Sequence, residues 1–260
     1  MPDTSSHWTI EIRPGVVFPD WYAMRSPHAK DALAAILVAF GADTCWRDYS
    51  ADEDTVRSSI IRHYATAGRS PTLSELKSVT GMADDALNSV LLRLRERDLV
   101  VMDDERIVGA YPFTARVTDH EVRINGTAVH AMCAIDALGA GAMLRVDAEI
   151  VSLCRQCRTP VTITTQGAGT ALQAFAPPGT VVWSGIRNSN GCAADSLCTV
   201  IAFFCSDKHL DAWRGANYPN IEGYRLSLDE ALQVGRALFA PSLAGVVVAH
   251  RGRGSLAAKN

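Results

Sequence analysis

Residues 117–143 read VTDHEVRINGTAVHAMCAIDALGAGAM, and two signals in this stretch set the architecture. Asn125-Gly126 is the residue pair preferred by two-residue hairpin turns, because both positions tolerate positive φ. It predicts antiparallel strands over 117–124 and 127–129. The small and apolar run that follows predicts a buried helix over 131–143. A hairpin feeding directly into a buried helix makes this half α+β.

Working downstream, short apolar runs predict strands over 144–153, 161–165, 181–184 and 197–204. Helices are predicted over 206–215 and 227–238. Ser227 with Glu230 three residues later forms a capping box, in which each side chain satisfies a free amide of the first turn.

Upstream, Val56, Ile60, Ile61 and Tyr64 recur at helical spacing and Gly68 stops the pattern. Thr72 and Glu75 make a second capping box, and 82–97 places Leu87, Val90, Leu91 and Leu94 on one helix face. Segments 99–102 and 106–108 flank the turn Asp103-Asp104-Glu105. Three helices followed by a hairpin is a winged helix-turn-helix plan. The fold class expected is therefore α+β: a winged-helix-like three-helix unit, then a mixed or antiparallel sheet domain with flanking helices. The expected divisions are an N-terminal extension (1–54), the winged-helix-like unit (55–113), a catalytic domain (114–245) and a frayed basic tail (246–260). In the extension, a strand at 8–12 and a helix at 31–40 precede a turn-rich stretch at 42–54.

The 260 residues are 48% hydrophobic and 20% charged, with a formal net charge of −3, the balance of a globular core former. That charge argues against a protein built around a phosphate backbone. The helix that would enter a DNA groove opens with Asp84 and Asp85, and its arginines lie at the far end. No nucleic-acid partner is expected. The longest uncharged apolar stretch, 32–42, falls well short of the ~20 residues a membrane span needs. A cytoplasmic chain with no membrane partner is the reading.

Seven cysteines are an odd count that a disulfide framework does not explain in such a chain. Cys133-Ala134-Ile135-Asp136 puts a thiol and a carboxylate three residues apart. A carboxylate raises a neighbouring thiol's pKa, so the pair suits a proton hand-off better than a solitary nucleophile. Cys198 opens a predicted buried strand, sharing a face with Val200, Ala202 and Phe204, with Cys205 on the other. Cys192 lies in a Gly- and Asn-rich loop that could approach the same place. Cys154-Arg155-Gln156-Cys157 is a single CxxC; without a second pair or a His pair a zinc ribbon is not expected. A reversible disulfide or an accessory metal-handling pair stays open.

Taken together these motifs resemble the alkylmercury (organomercurial) lyase family. The resemblance runs through residues 131–138, Val151-Ser152-Leu153-Cys154, Thr159-Pro160-Val161, Ser196-Leu197-Cys198, Phe203-Phe204, Trp213, Glu222-Gly223 and Asp229-Glu230-Ala231-Leu232. It spans roughly residues 110–240, and the three-helix unit before it is similar to the family's N-terminal segment. The resemblance implies that Cys133 and Cys198 are the two mercury-holding thiols, that Asp136 is the catalytic carboxylate, and that Cys154 is structural. Asp136 and Cys192 are further candidate metal ligands. The chain departs from the family at Thr199, where well-known members carry another cysteine, and Cys157, Cys192 and Cys205 are additions. The implied substrate is a small organomercurial split by protonolysis to a hydrocarbon and Hg(II). No cofactor is implied, since the metal arrives with the substrate; cellular thiols or a mercury-reducing enzyme would accept Hg(II). The competing readings are a metal- or thiol-sensing winged-helix protein and a family relative acting on a different compound.

Overall fold

The computed structural model describes residues 8–187 and 191–245. The predicted tail beyond 245 and the Asn188–Asn190 part of the Gly- and Asn-rich loop lie outside the described residues. A short hairpin, β1 (Ile10–Arg13) and β2 (Val16–Phe18), opens the chain, followed by α1 (Pro27–Phe40) and the single turn α2 (Ala42–Cys45). Ser26 caps α1 and Gly41 ends it in the left-handed region. The next helices are α3 (Ala51–Ala67), α4 (Leu73–Thr80) and α5 (Asp84–Glu96). Helix α3 starts earlier than the predicted 55 because Ser50 and Glu53 form a capping box inside the stretch read as turns. The Thr72–Glu75 box opens α4 as expected.

Strands β3 (Val101–Asp103), β4 (Arg106–Ala110), β5 (Phe113–Thr114), β6 (Glu121–Ile124) and β7 (Thr127–Ala131) lead to helix α6 (Ala134–Leu144). Then come β8 (Glu149–Leu153), β9 (Pro160–Gln166), β10 (Ala171–Ala176), β11 (Val181–Gly185), β12 (Ile201–Phe204), α7 (Asp207–Asn217), β13 (Gly223–Ser227) and α8 (Leu228–Leu243). An eight-stranded antiparallel sheet runs β10-β9-β8-β6-β7-β5-β4-β3, and a three-stranded sheet runs β12-β11-β13. The hairpin after the three helices is thus one edge of the large sheet. Among the described residues, no helix is long and apolar enough to cross a membrane.

The Asn125-Gly126 reading holds in detail: Ile124 pairs with Thr127, and both turn residues have positive φ, 49° and 83°. Several boundaries differ from expectation. Strand β6 starts at Glu121 rather than 117, after a turn in which Thr118 Oγ1 is hydrogen-bonded to the Ala131 carbonyl. The strand predicted from 144 begins at Glu149, since Leu144 closes α6 and Arg145 turns the chain at φ 57°. Helix α8 continues five residues past 238, to Leu243, with Pro241 inside it.

Helix α6 lies at the centre, with every residue from Ala134 to Met143 buried. It crosses α8 at Gly139 and Gly235 with no room for a side chain: a Cβ on Gly139 would stand 2.6 Å from the Gly235 carbonyl oxygen. Small residues let the two backbones touch. That contact fixes the height at which the first turn of α6 meets the second sheet.

Candidate active site

Strand β7 ends at Ala131, held in register opposite Phe113, and the Met132 amide donates to the Pro112 carbonyl at 3.0 Å. This anchors the next residue, Cys133, as the N-cap of α6 in extended conformation. Asp136 is then the third residue of the helix. Cys133 therefore sits just outside the helix and not within it as 131–143 implied, yet thiol and carboxylate still meet.

Cys198 reaches them by a different route from the predicted strand. Residues Cys198–Val200 form a 3-10 turn, and β12 begins only at Ile201. The cause is local: Thr199 Oγ1 donates to the Ser196 carbonyl at 2.6 Å and the Val200 amide to the Leu197 carbonyl at 3.2 Å. Side-chain and turn bonds of this kind compete with a sheet ladder. The alternation that paired Cys198 with Val200 and Ala202 does not apply.

The ligand-type atoms of Cys133, Asp136 and Cys198 lie within 4.8 Å of one another, and all three residues are buried. The Cys198 thiol donates toward Asp136 Oδ2 at 3.7 Å. Burial pushes the Asp136 carboxyl up to about 7, although hydrogen bonds from both thiols pull it partly back. Cys133 is raised chiefly by burial, and Cys198 well above the ordinary thiol range by its bond with Cys133 and by burial. Desolvation thus keeps both thiols protonated and brings the carboxyl to the point where it can either hold or release a proton near neutral pH. A carboxyl near 7 can take a thiol proton and later release it.

The three residues line a pocket of about 80 Å³. Much of its remaining wall comes from the first fifty-four residues: Phe18, Ile36, Leu37, Phe40 and Trp46. The extension, which sequence reading left without a role, thus forms an apolar wall beside the thiols. Arg57 also lines the cavity, its guanidinium 4.9 Å above the Trp46 ring and its Nη2 donating to the Tyr111 carbonyl at 3.3 Å. Burial lowers its pKa.

Cys192 stands apart from the 4.8 Å group. Its sulfur is 3.6 Å from the Tyr111 hydroxyl. Asp98 raises its pKa further after burial has taken it upward, to about 11. Tyr111 donates to Asp98 Oδ1 at 3.1 Å and accepts from the Ala194 amide at 2.8 Å, while Asp98 Oδ2 accepts from the Ala193 amide at 2.7 Å. Asp98 and Tyr111 thereby hold the turn that leads to Cys198. Neither was singled out from sequence, because the backbone amides they hold are 95 and 83 residues away.

A second thiol cluster also escaped the sequence reading. Cys154, Cys157, Cys205 and His209 bring four ligand-type atoms within 4.8 Å of one another. A search for a second CxxC or a His pair could not find it. The missing signal was Cys205-x-x-x-His209, one cysteine and one histidine a helical turn apart.

Residues 113–240 match the family model described as alkylmercury lyase. Through that segment the chain is similar to the alkylmercury lyase family. Two alkylmercury lyases, from Bacillus cereus and Clostridium butyricum, are each 23% identical over 171 residues, covering 66% of this chain and 75% of each relative. The fold is similar to that of the mercury-bound form of MerB2, with a TM-score of 0.66 at 24% identity over 84% of this chain and all of the other. The matched segment contains Cys133, Asp136 and Cys198, whereas Phe18, Ile36, Leu37, Phe40, Trp46 and Arg57 of the cavity wall precede it.

Proposed function

We propose that the chain is an organomercurial lyase that cleaves carbon–mercury bonds by protonolysis, with Cys133 and Cys198 as mercury ligands and Asp136 as the proton carrier. The observation that carries this reading is the buried group of two thiols and one carboxylate, all within 4.8 Å, in an apolar cavity. Mercury is soft, and thiolates compete best for soft metals. A substrate R–Hg–SR′ enters as the thiol adduct. One cysteine gives its proton to Asp136 and its sulfur to mercury; the other displaces R′S⁻, which leaves as R′SH with the second thiol's proton. Two sulfurs on the metal weaken the carbon–mercury bond, and Asp136 then protonates the departing carbon. The products are RH and Hg(II) held between Cys133 and Cys198, from which small thiols or an acceptor protein would remove it.

Both ionisable partners suit this sequence of steps. The Cys198 thiol already points its proton at Asp136. Burial holds the carboxyl near 7, where a proton is released more readily than from a thiol and held more firmly than by an exposed aspartate. Apolar walls favour an aryl or alkyl group on mercury over a hydrated ion. The test is anaerobic incubation with phenylmercury and excess thiol: benzene should accumulate beyond one equivalent as the thiol carries Hg(II) away. Capture of phenylmercury without any benzene would reduce the protein to a mercurial-binding one.

A further inference from the structure

We infer that the chain carries a second metal centre, a structural tetrahedral zinc site formed by Cys154, Cys157, Cys205 and His209. These side chains join three separate pieces of the fold. Cys154 and Cys157 belong to the turn between β8 and β9 of the large sheet, Cys205 directly follows β12 of the small sheet, and His209 is in the first turn of α7.

The spacings are those of a closed site. Cys157 and Cys205 sulfurs are 3.6 Å apart, and the Cys154 sulfur is 3.8 Å from His209 Nδ1. With metal–sulfur bonds of about 2.3 Å and metal–nitrogen bonds of about 2.0 Å, the edges of a tetrahedron fall near 3.5–3.8 Å. Cys205 and His209 lie closer, at 2.9 Å, held by a hydrogen bond that an ion would replace. Three sulfurs with one imidazole nitrogen is one of the closed sets used by structural zinc. Linear two-thiolate coordination, which suits mercury, leaves two of these four donors without a role.

The backbone is arranged for this as well. Arg158, immediately after the second cysteine, adopts φ 63°, and its amide returns to the Cys154 carbonyl at 2.9 Å. The Cys154 amide bonds the Thr159 carbonyl at 2.8 Å, closing a tight loop around the two thiols. Asp119 holds the same loop from outside through Arg158. Arg155 ties it to the small sheet: its amide donates to the Phe203 carbonyl at 3.0 Å and its Nη2 to the Thr199 carbonyl at 3.1 Å. Zinc here would clamp the far end of β12, whose near end follows Cys198. Binding displaces the thiol protons to solvent, so no oxidant or reductant is involved.

The test uses no mercurial, so its outcome is independent of the lyase reading. Full-length protein, purified under reducing conditions from zinc-replete cells and desalted, should carry zinc. Cobalt substitution should give the intense visible absorption and thiolate charge transfer of a tetrahedral sulfur-rich centre. Cys157→Ser and His209→Ala should each weaken zinc binding more than about tenfold in competition with a chromogenic chelator. Cys133→Ala should leave this zinc in place. Cys157 is exposed, so its substitution tests the ligand without disturbing a core. Zinc held as tightly in both variants as in the parent would overturn the proposal. So would protein that comes zinc-free from zinc-replete cells and binds no added zinc or cobalt.

Discussion

The Cys198 thiol donates to Asp136 Oδ2 across 3.7 Å, joining a turn of the small sheet to the first turn of the central helix. Two residues 62 positions apart therefore share one exchangeable proton. Asp136→Asn keeps the shape of that contact but cannot accept the proton. Capture of phenylmercury by the two sulfurs should survive at a reduced rate, while benzene formation falls about 10²–10⁴-fold, the typical contribution of a positioned general acid. Single-turnover product analysis, beside a count of mercury bound, separates the two steps.

The same carboxyl should leave a signature in stability. Its pKa rises from 3.8 to about 7 on folding, because burial penalises the charged form. Between those values the folded state holds a proton that the unfolded chain has released. The group's contribution therefore becomes less favourable as pH rises from about 4 to about 7, by roughly 1.4 kcal/mol for each unit, and then levels off. Asp136→Asn removes this dependence. The variant should gain stability relative to the parent as pH increases from 5 to 8 in paired denaturant titrations, and a constant difference would contradict the assignment. Mercurial capture should follow the opposite ionisation, slowing below about pH 7 as Asp136 loses its capacity to accept the Cys198 proton.

What was legible in the sequence was local. Asn125-Gly126, the two capping boxes at Thr72 and Ser227, and Cys133 with Asp136 act through neighbours a few residues apart; the Ser50 box is equally local but was missed, in a stretch read as turns. Strand β10 was missed because nearly all its side chains are exposed, so it carries no alternation. Cys198 was placed on a strand because an apolar run reads alike for a strand and for a buried 3-10 turn. Cys205 and His209 meet Cys154 and Cys157 only through packing between the two sheets. Likewise, the cavity's dependence on Phe18, Phe40 and Trp46 appears only once the extension is folded against α8.

Gly139→Ala tests how far the site depends on the α6–α8 crossing. The added methyl would press on the Gly235 backbone as well as the Phe239 ring, and backbone cannot swing aside. Separation of the helices should cost about 1–3 kcal/mol, the usual penalty of overpacking. Because Cys133 and Asp136 ride on α6, turnover should fall along with the melting temperature. An unchanged melting temperature would mean that the crossing is looser than its geometry implies.

The cysteines around the buried site should divide into two grades. Cys133→Ala and Cys198→Ala each remove one of the two sulfurs in the buried group, so both should abolish hydrocarbon release and weaken retention of mercury. Cys192 stands instead against Tyr111 and Asp98, in the turn that delivers Cys198. Its replacement by alanine should leave turnover within about tenfold of the parent, a loss of up to ~1.4 kcal/mol in the barrier. Tyr111→Phe should do more to the turn, since it deprives both the Ala194 amide and Asp98 of a partner. A lost buried hydrogen bond costs about 1–3 kcal/mol, to be read as a lower melting temperature. Measuring the four variants together distinguishes a mercury ligand from a residue that positions one. If Cys192→Ala were as inactive as Cys198→Ala and bound mercury as poorly, three sulfurs rather than two would have to be drawn around the metal.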